Sequence, residues 1–373
     1  MDKKDQKFLD DYFSYYRNVV FRTDVQEQFA EFADTCKRVK ASGNKLIFAG
    51  NGASASISSH AATDFTQHAK VRTVCFNDHN LLTCYGNDYG YENWVARALE
   101  AYADEGDVAV LISSSGSSPN IVNAARYARE RELQVVSFTG FSPDNPLRKF
   151  GDPSFWLDSK AYNAVESTHL IWVLSVANFL EQQVSQQTFY DSHFSKQLQA
   201  LFYVDYSKNL IQFRNLCCEV SERGGKMIFA GNGGSASIAS HAATDFTKQS
   251  KIRSIAFNDH NLMSAYSNDY GQEKWISQCL LDYADPEDAV VLISCSGKSP
   301  NILNAAETAQ QMELPVVTFT GFESENCLSL MGQINFWVNS DNYNIAEAVH
   351  MILIFCICDM IVGEPVYSNS AKR

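Results

Sequence analysis

The chain has 373 residues, of which 45% are hydrophobic and 20% are charged, and its formal net charge is −13. This length suits two domains that each bury a core, and the acidic balance argues against a nucleic-acid partner. No segment approaches the roughly 20 uncharged apolar residues that a membrane span needs, and the N-terminus lacks an apolar signal-peptide core. The 10 cysteines form no CxxC pair, which favours reduced thiols. We therefore expect a cytoplasmic protein with no membrane partner.

The first half of the chain predicts alternating helices and strands. Residues 1–42 have the apolar spacing of helices, and strands are predicted at 45–49, 71–76, 107–112, 134–138 and 155–157. Helices are predicted at 54–67, at 89–102, from Pro119 onward and at 163–183. The apolar run 107–112 (DVAVLI) is typical of a strand buried on both faces. This alternation predicts a parallel sheet covered by helices on both sides.

The second half repeats the first at a constant offset of 181 residues. Residues 48–66 and 229–247 differ at only two of 19 positions, where Ala53 becomes Gly234 and Ser58 becomes Ala239. A long repeat without insertions indicates two copies of one domain. We predict an α/β protein with two tandem, doubly wound, flavodoxin-like domains, 1–185 and 186–373, related by pseudo-twofold symmetry. Each domain would contain a five-stranded parallel sheet of order 2-1-3-4-5.

Two Gly- and Ser-rich loops follow the first and third predicted strands. In a sheet of this order, ligands bind between the carboxyl ends of these strands. Residues 50–54 (GNGAS) and 113–118 (SSSGSS) each lead into a helix N-terminus, where unpaired amides and the helix dipole favour an anion. The GxxxxGK(S/T) motif is absent, and a GxG without its third glycine is weak evidence for a dinucleotide site. We predict a phosphate cradle; the alternative is two flexible loops with a turn and a helix cap.

Carboxylates and imidazoles recur in pairs on two predicted helices. His60 and Asp64 are four residues apart, and Glu166 and His169 are three apart, so each pair shares a helix face. The second copy repeats them as His241, Asp245, Glu347 and His350. Such groups can relay protons between carbons or hold a divalent metal such as zinc, with His60, Asp64, Glu166, His241, Asp245 and Glu347 as candidate ligands. Alternatively, the histidines are hydrogen-bonded structural residues.

A further repeated pair, Asn87-Asp88 and Asn268-Asp269, lies between the two loops of each copy. This pair, the two loops and the Glu166 helix together resemble the motifs of the sugar isomerase (SIS) domain superfamily and, within it, of the phosphoheptose isomerases. The resemblance extends over nearly all of both halves. The resemblance implies an aldose–ketose isomerase that converts sedoheptulose 7-phosphate into a heptose 7-phosphate through an enediol-type intermediate. Asp64 and Asp245 would be its acid/base carboxylates.

The candidate residues divide into two groups. Catalytic candidates are Asp64, His60, Glu166, His169, Asp245, His241, Glu347 and His350. Substrate-binding candidates are Asn51, Gly52, Ser54, Asn87, Asp88, Ser113, Ser114, Ser115 and Ser118, and in the second copy Asn232, Gly233, Ser235, Asn268, Asp269, Ser294, Cys295, Ser296 and Ser299.

The chain departs from the family pattern at three positions in each copy. Asp64 and Asp245 stand where the family has Glu, Glu166 and Glu347 where it usually has Gln, and Leu174 and Phe355 where it has a catalytic or metal-binding His. Two other functions therefore remain open. One is a non-catalytic SIS module that senses a phosphosugar or serves as a protein-binding scaffold, and the other is an isomerase or lyase for another sugar phosphate.

The resemblance also implies an assembly. Since the family is usually a tetramer of single domains, a homodimer of this chain would form a pseudo-tetramer.

Overall fold

The computed structural model describes residues 2–182 and 184–365. These residues form two compact units. The N-terminal unit is Tyr15–Phe194, and the C-terminal unit is Ser195–Pro365 together with the described residues up to Ser14. The limits 1–185 and 186–373 therefore mark the repeat in the sequence, whereas the compact units divide near residue 194 and assign the first residues of the chain to the C-terminal unit.

Helices and strands alternate in both halves, as the apolar patterns predict. The first half contains α1 (Lys3–Asn18), α2 (Gln26–Ser42), β1 (Leu46–Ala49), α3 (Ala53–Gln67), β2 (Thr73–Cys75), α4 (His79–Tyr89), α5 (Trp94–Tyr102), β3 (Val108–Ser113), α6 (Pro119–Glu130), β4 (Gln134–Thr139), β5 (Ser154–Trp156) and α7 (Tyr162–Leu180). The second half contains α8 (Gln186–Phe202), α9 (Ser207–Glu222), β6 (Met227–Gly231), α10 (Gly234–Lys248), β7 (Ser254–Ala256), α11 (His260–Tyr270), α12 (Trp275–Tyr283), β8 (Ala289–Ile293), α13 (Pro300–Gln311), β9 (Val316–Thr320), β10 (Ile334–Trp337) and α14 (Tyr343–Val362). Short 3-10 helices occur at Val20–Arg22 and Leu147–Lys149.

Each unit contains one five-stranded parallel sheet. The strand order is β2-β1-β3-β4-β5 in the N-terminal unit and β7-β6-β8-β9-β10 in the C-terminal unit, which confirms the predicted order 2-1-3-4-5. Every residue of β3 and of β8 is buried, as expected for a central strand covered by helices on both faces. Alternate residues of β3 face opposite layers, so Ala109 and Leu111 pack with Trp94 of α5 and Ile121 of α6.

The opposite face of the N-terminal sheet is dominated by aromatic side chains. Phe138 and Phe155 stack with their ring centroids 4.4 Å apart, and Phe32 and Phe65 pack close by. The C-terminal unit repeats this stack with Phe319 and Phe336 at 4.5 Å. Such pairs bury large apolar areas and contribute about 0.5–1.5 kcal/mol beyond the burial itself. A rigid sheet of this kind holds the carboxyl ends of its strands in constant positions.

One predicted helix is wrong in its extent. Residues 89–102 form parts of two helices, α4 and α5, which are separated at Gly90 with a φ of 82°. Neither α4 nor its counterpart α11 contains a fully buried residue, so the apolar spacing that reveals a core-facing helix is weak there.

The closing helix α14 is long and apolar enough to cross a membrane by composition alone. However, 89% of its most apolar window is buried. Its two carboxylates, Glu347 and Asp359, are also buried. The helix therefore forms part of the core.

Candidate functional site

The loop after β1 turns sharply into α3. A Cβ at Gly50 would lie 2.6 Å from the backbone and side chain of Ser54, so only glycine permits this close approach. Gly52 precedes α3 with a φ of 53°, and the buried Ser54 lies in the first turn of the helix. Gly231 and Ser235 repeat this contact at 2.6 Å in the C-terminal unit. The first amides of α3 and α10 thus lie at the carboxyl ends of β1 and β6.

The loop after β3 is held by its own hydroxyl groups. The Oγ atoms of Ser113 and Ser118 are 3.1 Å apart, and Ser115 Oγ accepts a hydrogen bond from the Ser117 amide at 3.2 Å. Helix α6 begins at Pro119, as predicted, and Ser118 is its N-cap residue, but the Ser118 side chain makes no capping hydrogen bond. It turns back to Ser113, and the amides at the start of α6 gain no side-chain cap from it.

The C-terminal unit preserves this loop conformation. Ser294 Oγ and Ser299 Oγ are 3.2 Å apart, and Ser296 Oγ accepts from the Lys298 amide at 3.3 Å. Because β1 pairs with β3 and β6 with β8, the two predicted loops of each copy leave adjacent strands. The structure therefore brings together the two halves of each predicted cradle.

A pair of asparagines joins the two loops, and sequence reasoning missed one member of it. Asn51 Nδ2 donates to Asn120 Oδ1 at 2.9 Å, and Asn120 Nδ2 donates to Asn51 Oδ1 at 2.8 Å. Asn232 and Asn301 form the same reciprocal pair at 2.9 and 2.8 Å. Asn120 is buried and sits next to Pro119 at the start of α6. The signal available in the sequence was its recurrence 181 residues later.

Asn87 and Asp88 lie on the exposed helix α4. Asn87 Nδ2 donates to Asp88 Oδ1 at 3.0 Å, and Asn268 donates to Asp269 at 2.9 Å on α11. Across the described part of the chain, neither pair hydrogen-bonds to the two cradle loops. Their predicted substrate contacts stay predictions.

His60 and Asp64 form a buried pair on α3. His60 Nε2 lies 3.7 Å from Asp64 Oδ2, and His241 Nε2 lies 3.2 Å from Asp245 Oδ2. Both pairs are almost inaccessible to solvent. At a rise of 1.5 Å per residue, Asp64 is about 15 Å along the helix from Ser54. Each pair can exchange a proton internally, but it does not line the cradle of its own unit directly.

Glu166 and Glu347 are the carboxylates that contact the cradle loops within their own units. Glu166 Oε1 accepts a hydrogen bond from Ser114 Oγ at 3.1 Å, and both residues are buried. Glu347 Oε1 instead accepts from Ser235 Oγ at 3.2 Å, because position 295 is Cys in the second copy. A buried carboxylate needs such a donor, since burial without one is costly. The predicted residues Ser114 and Ser235 thus hold a carboxylate.

His169 and His350 lie in the core of their units. Each is fully buried and packs edge-on against an aromatic ring, Phe138 or Phe319, with centroids 6.0 and 5.7 Å apart. Burial lowers the pKa of each imidazole to about 4, against the opposing effect of a hydrogen bond to the backbone of Thr139 or Thr320. Both rings are therefore neutral at pH 7 and shielded from solvent.

The positions of the missing family histidine are filled by apolar side chains. Leu174 and Phe355 are both buried, and the Phe355 ring packs edge-on against His241 at 4.5 Å between centroids. Protein zinc sites use three or four protein ligands. Within either unit alone, the described residues bring no three His, Cys, Asp or Glu ligand atoms within 4.8 Å of one another. Hence the predicted set His60, Asp64 and Glu166 does not converge inside the N-terminal unit, and we derive no metal-dependent step.

The SIS domain family model matches the chain twice, at residues 11–140 and 192–321. The phosphoheptose isomerase of Burkholderia pseudomallei is 33% identical over 158 residues, which are 41% of this chain and 80% of that protein. The C-terminal domain of glucosamine-fructose-6-phosphate aminotransferase from Francisella tularensis superposes with a TM-score of 0.65 at 13% identity, covering 95% of both chains.

A glucosamine-6-phosphate deaminase from Thermotoga maritima superposes with a TM-score of 0.59 at 12% identity, covering 99% of this chain and 98% of that one. These two structures share the fold. The family match covers well over half of the chain, in one segment for each copy of the repeat. The resemblance seen in the sequence is confirmed: the chain belongs to the SIS domain family.

Proposed function

We propose that the protein is an isomerase that interconverts the aldose and ketose forms of a sugar phosphate, with sedoheptulose 7-phosphate as its substrate. The observation that carries the proposal is the repeated cradle, in which two Ser-rich helix-entry loops lie beside a buried carboxylate. The similarity to a phosphoheptose isomerase supports the choice of substrate.

The phosphate would bind to hydroxyl groups and helix amides. Ser113, Ser115 and Ser118 would serve the first cradle, and Ser54 the start of α3. An anion at a helix N-terminus gains from the dipole and from amides without partners inside the helix. No lysine or arginine is required, which suits a protein with a net charge of −13.

The chemistry needs a group that moves a proton between neighbouring carbons. A base removes a proton from C1 of the ketose, the C1–C2 double bond of the enediol forms, and O2 gains a proton. The proton then returns to C2, while O1 loses its proton and becomes the aldehyde oxygen. The similarity to a phosphoheptose isomerase supports assigning the carbon proton to Asp64 and Asp245, each paired with a histidine. Because these residues do not line the cradle of their own unit, the alternative bases are Glu166 and Glu347, which contact the cradle loops and would otherwise orient sugar hydroxyls. Positioned proton transfer typically contributes about 10²–10⁴-fold.

The test is a panel of sugar phosphates incubated with the protein in deuterated water, with aldose–ketose exchange followed by NMR. We expect turnover with deuterium incorporation at C2, and a loss of about 10²-fold or more in the Asp64→Asn, Asp245→Asn double variant. If the parent protein exchanges no C2 hydrogen, the isomerase proposal fails. If the double variant keeps full activity, the base must be sought at Glu166 and Glu347.

A second function is favoured by one observation in the C-terminal unit. The ring of Phe355 packs against His241, where the family carries a histidine. This contact favours a C-terminal unit that binds a phosphosugar without turning it over, as a sensor or scaffold would. Comparing Asp64→Asn with Asp245→Asn tests this, because a silent C-terminal unit makes only the first variant inactive.

We also propose a cytoplasmic homodimer that contains four SIS domains and binds neither nucleic acid nor membrane. The acidic net charge supports the last point. Light scattering would test the assembly, with a monomeric mass as the contradicting result.

A further inference from the structure

The two cradles differ at the oxygen of their conserved asparagine. In the N-terminal unit, Asn51 Oδ1 accepts two hydrogen bonds, one from Asn120 Nδ2 at 2.8 Å and one from the Tyr91 hydroxyl at 3.1 Å. An amide oxygen has two lone pairs, so these two donors occupy it. Asn51 is half-buried.

The C-terminal unit has no tyrosine at this position. The residue 181 positions after Tyr91 is Gln272, which is exposed. Among the described residues, 2–182 and 184–365, only Asn301 donates a hydrogen bond to Asn232 Oδ1, at 2.8 Å. Asn232 is exposed, whereas Asn51 is not. One lone pair of Asn232 Oδ1 is therefore accessible from solvent.

Tyr91 is placed to affect a ligand directly. It follows Gly90, which ends α4 with a φ of 82°, and this turn carries the tyrosine from the exposed helix toward the β1 loop. The residue is 52% exposed even though its hydroxyl donates to Asn51. The side chain therefore covers one edge of the first cradle.

We infer that Tyr91 is a specificity-determining residue that makes the two sites unequal. A sugar hydroxyl can donate to Asn232 Oδ1 in the C-terminal site, but the corresponding oxygen of Asn51 is occupied by the Tyr91 hydroxyl. The ligand class is a polyhydroxylated sugar phosphate, so the inference rests on the proposed function. Inorganic phosphate lacks the sugar hydroxyl and should not distinguish the two sites.

The experiment isolates one cradle at a time in the full chain. Ser296→Asp places a carboxylate in the second cradle and repels phosphate there, so that only the first site binds; Ser115→Asp does the reverse. Calorimetry then measures sedoheptulose 7-phosphate and inorganic phosphate at each site. In the Ser296→Asp protein, Tyr91→Gln gives the first site the residue of the second site. In the Ser115→Asp protein, Gln272→Tyr gives the second site the residue of the first. Tyr89→Phe is the matched control, because it removes a neighbouring exposed hydroxyl that does not contact Asn51.

We expect Tyr91→Gln to tighten sugar-phosphate binding by about five- to tenfold, and Gln272→Tyr to weaken it by a similar factor, as one hydrogen bond is gained or lost. Inorganic phosphate should bind unchanged in both variants, and Tyr89→Phe should change neither ligand. If both exchanges leave the sugar-phosphate affinity within twofold while inorganic phosphate still binds, Tyr91 does not determine specificity. The assignment of the two loops as a phosphate site is then retained. If neither isolated site binds inorganic phosphate, the cradle itself is wrong and the inference falls with it.

Discussion

Replacing Gly116 with alanine should destabilise the N-terminal unit by about 3–5 kcal/mol. Gly116 has a φ of 63°, a conformation that costs an L-residue about 1–2 kcal/mol. An added Cβ would also lie 2.0 Å from Asn145 Oδ1, so this buried side chain must move. Asn145 donates to the carbonyls of Gly140 and Ser142 and accepts from the Arg148 amide at 2.9–3.2 Å. Losing two or three such bonds adds about 1 kcal/mol each.

Gly43→Ala is the matched control. Gly43 lies in the left-handed helical region with a φ of 77°, but an added Cβ would meet nothing within 4 Å. It should therefore cost only the backbone term, about 1–2 kcal/mol. Urea unfolding followed by circular dichroism measures both variants, and Gly116→Ala should also weaken phosphate binding because its loop is displaced. If the two variants lose the same stability within about 1 kcal/mol, Asn145 does not hold the loop as argued.

Three further outcomes follow from the same geometry. Replacing Ser115 and Ser296 by alanine should weaken sugar-phosphate binding by about ten- to a hundredfold in calorimetry, since a donor to an anion contributes about 1.5–3 kcal/mol; unchanged affinity would remove both from the cradle. Asn120→Ala should weaken binding by about tenfold, because it leaves the partner amide in the β1 loop without its reciprocal bonds. Burial lowers the pKa of His169 and His350 to about 4, so the unfolded chain binds protons below pH 6.5 that the folded chain excludes. Stability should be complete above pH 6.5 and fall by about 3 kcal/mol for each histidine as pH drops toward 4, and His350→Gln should remove its share of that slope in urea titrations.

The fold could be predicted because its determinants are local or repeated. The run DVAVLI is apolar on both faces, which only a central strand requires, and the structure buries all of β3. Helix α4 was missed for the opposite reason. Its residues are exposed or half-exposed and bury no continuous stripe, so no period of 3.6 appears in the sequence.

The candidate site was predictable only in part. Glycine and serine at strand ends identify the two loops, but the spacing of Glu166 and His169 states only that they share a helix face. It does not state what that face contacts. In the structure Glu166 reaches the Ser114 hydroxyl, whereas His169 packs into the aromatic core beside Phe138. Asn120 was missed because its partner lies 69 positions earlier in the chain, and only tertiary structure brings the two amides together.

A few of the differences between the copies lie at the cradle, although most of its residues are identical in the two copies. The sheet order, the serine pair and the asparagine pair are the same in both units, so the backbone frame of the cradle tolerates little change. By contrast, the exchange of Ser114 for Cys295 removes the hydroxyl that holds Glu166, and Glu347 takes its hydrogen bond from Ser235 on the other loop. The carboxylate of the first copy is therefore bonded to the loop after β3, and that of the second copy to the first turn of α10. Two cradles of one geometry therefore offer different donors, which is the arrangement expected if duplication preserved phosphate binding and allowed sugar recognition to diverge.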